Sequence, residues 1–151
     1  IANVLMVLEQ QPESLQQLCG DSKMTNALVL EALRLNSPAQ MIPRIATEDM
    51  LWHGVHIKRE MPVLLALGSA NHDDTVLPTA ACFMPQRDAS KALIFGAGRH
   101  ACIGGSFAVR QISSLLTALA DKNVRVITPL TSLRYLPRFG HRWPSRLDIA
   151  F

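Results

Sequence analysis

Aromatic residues are scarce in this 151-residue chain: five Phe, two Trp and one Tyr, 5% of the total. Basic runs interleaved with aromatics are missing, so the net charge of +3 does not indicate a nucleic-acid partner. Cysteine is sparse too. Cys19, Cys82 and Cys102 make an odd count without a C-x-x-C pair. That argues against a disulfide framework or zinc knuckle and fits a reduced, cytoplasmic setting. No apolar run is long enough to span a membrane, and no secretory leader is read. Repeats, low-complexity segments and linkers are absent, so residues 1–151 read as a single unit of one-domain size. An initiating Met is lacking as well. The opening "IANVLMVLEQ" has no N-cap residue ahead of its apolar run. It reads as the tail of a helix that starts elsewhere, and the chain as a fragment.

What is present supports a core: 48% of residues are apolar and 18% charged. Val4, Leu5 and Leu8 recur at helical spacing over Ile1 to Gln10. A second helix is expected over Pro12 to Leu18, with Pro12 in its first turn and Gly20 as a stop. "KMTNALVLEALRLNSP" follows, with Asp21 or Ser22 as cap and Pro38 as terminator. It is apolar nearly all round, which predicts a buried helix. From Met41 to Leu67, β-branched runs broken by Gly54 and Pro62 predict short strands, some paired as hairpins. Met41, Met50 and Met61 are expected in or near the core, and Trp52 and Trp143 as packing anchors. Asn71 to Ser90 reads as a long loop, which in a compact domain is usually functional. Gly105 to Leu119 is the last helix, with Ile112, Leu115, Leu116 and Leu119 on one face. "VRVIT", "SLRYL" and "RLDIAF" predict strands in the tail. The basic residues there (Arg134, Arg138, His141, Arg142 and Arg146) form a solvated face or a patch for an acidic partner. The fold class is mainly α with short β-hairpins (α+β).

Two features carry chemistry. Met24, Leu28, Glu31 and Leu35 share one face of the central helix, which puts a carboxylate among apolar neighbours. A buried carboxylate needs a partner, and Arg34, three residues on, can supply it. Such an E-x-x-R spacing is also common as an exposed ion pair.

The second feature is "FGAGRHACIGG", Phe95 to Gly105. Gly96, Gly98 and Ala101 match the G-x-G-x-x-A of dinucleotide sites. No βαβ unit follows, however, and Asp121 sits at a helix end rather than a strand tip. A P-loop lacks its Gly-Lys-Ser/Thr. The other reading starts from Cys102, just before a helix N-terminus whose unpaired N–H groups favour a thiolate. Flanking glycines let the chain wrap closely and leave one face open to a flat ligand. His100 adds a donor at the rim. An inert core cysteine is the alternative.

Phe95, Gly98, His100, Cys102 and Gly104 fit F-x-x-G-x-(R/H)-x-C-x-G, and the chain thereby resembles the cytochrome P-450 haem-thiolate monooxygenases. Glu31-Ala-Leu-Arg34 looks like the family's ExxR, and Pro43-Arg44 like the segment that sends an Arg to a haem propionate. Gly54 to Ile57 and Pro62 to Leu65 look like its hairpin, Ala70 to Asp73 like its Ala-Asn-Arg-Asp turn, and Phe83 to Arg87 like its meander. Order and spacing agree along the whole chain.

The resemblance implies the C-terminal portion of that fold, incomplete, with b-type haem as cofactor. It makes Cys102 the axial thiolate and metal ligand. Phe95 packs the loop, while Gly98 and Gly104 line it. His100 and Arg44 meet the propionates, and Glu31, Arg34 and Arg87 form a structural network. Ala39 to Ile42 correspond to the substrate side. One departure stands out: Cys82 occupies a position where the family has an Arg, which leaves two alternatives, Arg87 as the substitute or a weaker network that holds haem less well. The oxygen-activating segment of the family lies upstream of Ile1, so no catalytic residue is assigned. In the complete enzyme the implied partners are a ferredoxin- or reductase-type electron donor and a hydrophobic small-molecule substrate. Three functions stay open: the haem-binding part of such an enzyme, a small stand-alone haem-thiolate carrier or sensor, and an inactive remnant.

Overall fold

The computed structural model describes residues 1–11, 13–14, 21–122 and 124–150. The second helix expected over Pro12 to Leu18, its Gly20 stop and Cys19 lie mostly outside these residues. Helices among the described residues include α1 (Ala2–Glu9), α2 (Ser22–Leu35), the single turn α3 (Leu67–Ala70) and α4 (Gly105–Ala120). Asp21 caps α2 by accepting the Lys23 N–H at 2.8 Å, which satisfies one of the otherwise orphaned first-turn donors. The helix ends at Leu35, ahead of Pro38.

The core lies where α2 packs between α1 and α4. Val4 and Leu8 of α1 meet Leu28, Val29 and Ala32 of α2, and Ile112 and Leu116 of α4 close the far side. Spacings of three and four residues put each set on one face. The expectation of an all-round buried α2 holds for its second half only. Its first turn, with Met24, is exposed.

Six short strands make three two-stranded antiparallel pairs. β1 (Ile42–Ile45) pairs with β4 (Pro62–Leu65), with Arg44 opposite Val63. Between them β2 (Met50–Trp52) and β3 (Val55–Ile57) form a nested hairpin. Its two-residue turn, His53-Gly54, has φ of +46° and +81°, the paired positive angles that match strand twist in tight hairpins. Gly54 to Ile57 and Pro62 to Leu65 therefore belong to two different pairs, not to one hairpin. β5 (Arg125–Val126) pairs with β6 (Ile149–Ala150). Of "SLRYL", only Tyr135 makes a bridge, to Pro144.

Several expected core residues are outside. Met41, Met50 and Met61 are exposed, and Trp52 is 63% exposed because it flanks the hairpin turn. Trp143 is half-buried, edge-on to His141. The basic side chains of the tail are exposed: Arg142 stacks 4.3 Å over the Tyr135 ring and Arg146 pairs with Asp148. Among the described residues no helix is long and apolar enough to cross a membrane.

The tail is pinned to the segment after α2. The Gly140 carbonyl accepts the N–H groups of Gln40 (2.7 Å) and Met41 (3.1 Å), and Arg142 donates its N–H to Pro38. Gly140 has φ +68°, and a Cβ there would lie 2.5 Å from the Met41 carbonyl oxygen. Gly140→Ala is therefore expected to destabilise the chain by roughly 1–3 kcal/mol, the usual cost of a strained left-handed residue. Equilibrium urea unfolding checks this, and an unchanged midpoint would refute it.

Candidate functional site

Glu31 and Arg34 sit in the last turns of α2, 2% and 0% exposed. Their spacing lets the guanidinium grip the carboxylate with two bonds: Nε to Oε2 at 2.8 Å and Nη2 to Oε1 at 2.7 Å. The other donors reach main-chain carbonyls across the loop: Nη1 to Asn71 (2.6 Å) and Ala80 (2.8 Å), and Nη2 to Cys82 (3.1 Å). A guanidinium has five N–H donors, and all five are used. A lysine has three and no fork, so it cannot replace Arg34.

Glu31 accepts more than Arg34 gives. Its Oε1 takes the Met84 N–H at 2.9 Å and Arg87 Nε at 3.3 Å. Arg87 also donates to the carbonyls of Pro78, Thr79 and Cys82. The two cations and one anion thus fold the 78–87 loop around the end of α2. Burial pushes the Glu31 carboxyl up. Arg34, the Met84 N–H and Arg87 outweigh it, leaving the group below the usual carboxylate range.

Asn71, 1% exposed, was absorbed into a turn motif by sequence reading, and its links appear only in space. Its carbonyl accepts from Arg34, its Nδ2 donates to Ser37 Oγ (2.9 Å), and its Oδ1 accepts the Leu93 N–H (2.6 Å). Leu93 opens the cysteine loop. His72 and Asp73 beside it are local: the His72 ring contacts the Gly68 carbonyl, and Asp73 caps Thr75.

In the loop, Cys102 donates its N–H to the Phe95 carbonyl at 2.8 Å, and Gly98 to His100 form a single 3-10 turn between them. Phe95 lies beneath α4: a Cβ on Gly105 would sit 3.0 Å from its ring. Packing of ring on glycine fixes where α4 begins, so Cys102 stands three residues before that helix with its thiol exposed and free. Ile103 next to it is fully exposed. A Cβ on Gly98 would meet nothing within 4 Å, and one on Gly104 would meet only the Cys102 sulfur.

The structure thus brings Glu31, Arg34 and Arg87 together, and Phe95, Gly104 and Cys102 together. Arg44 and His100 stand apart. Both are exposed, and Arg44 donates only to the adjacent Pro43 carbonyl. Among the described residues no hydrogen bond or ion pair joins either to Cys102, and no three His, Cys, Asp or Glu side chains gather as an ion site.

The family model described as Cytochrome P450 matches residues 2–122. The chain belongs to the cytochrome P450 family. Among P450 relatives, the "Biotin biosynthesis cytochrome P450" of Bacillus subtilis (strain 168) is 33% identical over the whole of this chain, which spans 38% of that protein. "Putative cytochrome P450 140" of Mycobacterium tuberculosis (strain ATCC 25618 / H37Rv) is 37% identical over 109 residues, covering 72% of this chain and 25% of that protein. In space the chain superimposes on P450BioI, solved in complex with a hexadec-9Z-enoic acid ligated acyl carrier protein. The TM-score is 0.89 at 33% identity, covering all of this chain and 39% of that one. CYP105D6 gives a TM-score of 0.91 at 27% identity, covering all of this chain and 40% of that one. The fold is therefore a partial P450 fold, under two-fifths of the relatives' length in the first of these comparisons.

Removing the Glu31 charge leaves two buried guanidiniums without an anion. Glu31→Gln is expected to cost roughly 3–5 kcal/mol at neutral pH. The folded-state pKa of Glu31 is depressed, so its stabilisation is complete above the ordinary carboxylate pKa and is lost as pH falls through that range. Between pH 6 and pH 3 the unfolding free energy of Glu31→Gln should therefore fall less steeply than that of the wild type. Urea melts across that range decide it, and parallel slopes would contradict the assignment.

Proposed function

We propose that this chain is the haem-thiolate-binding part of a cytochrome P450 monooxygenase, in which Cys102 would supply the thiolate that holds a b-type haem. The observation that carries the reading is the free, exposed Cys102 thiol held ahead of the 16-residue helix α4 by the Phe95 carbonyl and the Phe95–Gly105 packing. The residues present fit such a group. Haem asks one thiolate of the protein, and one free thiol stands here three residues before the first residue of α4. The space beside Gly98 is open. Exposed Arg44 and His100 are the donors for the propionates.

When bound through a thiolate, haem iron receives electron density that favours O–O cleavage. The chain's own part is positional. Cys102 supplies the anion, Phe95 and Gly105 fix its depth, and Glu31, Arg34 and Arg87 hold the supporting loop. Ala39 to Ile42, pinned by Gly140, form part of the wall against a hydrophobic substrate. The relative solved with a fatty-acid-ligated acyl carrier protein supports an apolar substrate of that kind. Electrons come from a ferredoxin- or reductase-type donor in the complete enzyme. Acid–base groups for oxygen activation are not assigned among these residues.

A reduced, carbon monoxide-treated difference spectrum on haem-reconstituted chain tests the reading. The wild type should give a thiolate-type band, and Cys102→Ala should lose it. Because Cys102 is exposed, that variant should keep its unfolding free energy within about 0.5 kcal/mol of the wild type. Absence of haem uptake by the wild-type chain would remove the proposal for this chain.

A further inference from the structure

We infer that Asn71 is a positioning residue: its buried amide sets the cysteine loop in register with the Glu31–Arg34–Arg87 network, so that Cys102 depends on a side chain it never touches. The inference rests on the proposed role of Cys102 as haem ligand. Among the described residues Asn71 is the one that hydrogen-bonds to both halves of the site. Through its carbonyl it takes Arg34 Nη1 at 2.6 Å, and through Oδ1 it takes the Leu93 N–H at 2.6 Å. From Leu93 the path to the thiol is short. The Leu93 carbonyl accepts the Gly96 N–H, and the Phe95 carbonyl accepts the Cys102 N–H.

Its amide can sit only one way round. Leu93 presents an N–H, which demands the oxygen on that side. On the other side Ser37 Oγ directs its own proton to the carbonyls of Leu33 and Arg34, which leaves its lone pairs for Asn71 Nδ2. Each polar atom of the side chain is therefore matched, in a place 1% exposed. A donor deprived of its acceptor is destabilising where it stands, so loss of Oδ1 releases the loop start at Leu93 rather than leaving it in place. Arg34 bonds to the Asn71 main chain, which any substitution keeps. The side chain therefore acts on the loop and not on the ion network.

Asn71→Leu removes both amide bonds at nearly constant shape, Asn71→Ser is a smaller change whose hydroxyl stops one bond short of the Leu93 N–H, and Asn71→Asp keeps an acceptor for Leu93. Amide hydrogen exchange on the full 151-residue chain without haem, and the reduced carbon monoxide spectrum with it, are the two readouts. Residues 93–102 should exchange at least tenfold faster in the Leu and Ser variants, while α4 amides from Val109 onward stay protected. The thiolate-type band should shrink in step, and Asn71→Asp should restore both. If Asn71→Leu fails to fold, Asn71→Ser carries the same test. Unchanged loop exchange in the Ser variant would overturn the inference. A wild-type chain lacking the band would sink the ligand reading instead, and the exchange data would still decide whether Asn71 holds the loop.

Discussion

A carboxylate buried inside a protein is among the costliest groups to place, and Glu31 is tolerated only because two guanidiniums and a main-chain N–H converge on it. That requirement organises much of the rest. Arg34 and Glu31 share one helix and need no help from topology to meet. Arg87 must arrive from a segment with little regular structure. The 78–87 loop is consequently wound so that its carbonyls face inward onto the same cations. Without the ion cluster, those carbonyls would have no buried partners, and the loop no reason for its path. Every buried side-chain polar atom among the described residues is satisfied.

The cysteine loop depends on this arrangement at one remove. Its own bonds are few: one from Gly96 to Leu93, one from Ala101 to Gly98, one from Cys102 to Phe95 and one from Gly105 to Cys102. What gives it a fixed place is contact at each end, the Phe95 ring under Gly105 and the Leu93 N–H on Asn71. A short, glycine-rich segment held at both ends is stiff where it matters and open in the middle.

Sequence reading reached three helices, the fold class and the family because those rest on local signals. Periodicity located α1, α2 and α4, and the ten-residue pattern around Cys102 is long enough to be specific. It failed where the outcome depends on partners distant in the chain. The exposed methionines and Trp52 look like core material, yet they lie on two-stranded pairs that have little packed against them. The pairing of β1 with β4 skips an entire hairpin, which composition cannot show. Glu31 was legible as buried because its helical neighbours are apolar. Arg87 was named from its motif, but its contact with Glu31 across 56 residues has no local signature. Asn71 was hidden for the same reason, since an Asn in a turn-rich stretch reads as a turn residue.

Most of the groups that Arg34 and Arg87 grasp are main-chain oxygens, contributed by residues 71, 78, 79, 80 and 82. A carbonyl is the same whatever side chain it carries. The carbonyl that residue 82 gives to the clasp does not depend on its side chain, which here is a thiol. Spacing is another matter, because deleting one residue between Asn71 and Arg87 would take several oxygens out of reach together. Length in such a segment is therefore held more tightly than the side chains that merely carry those oxygens.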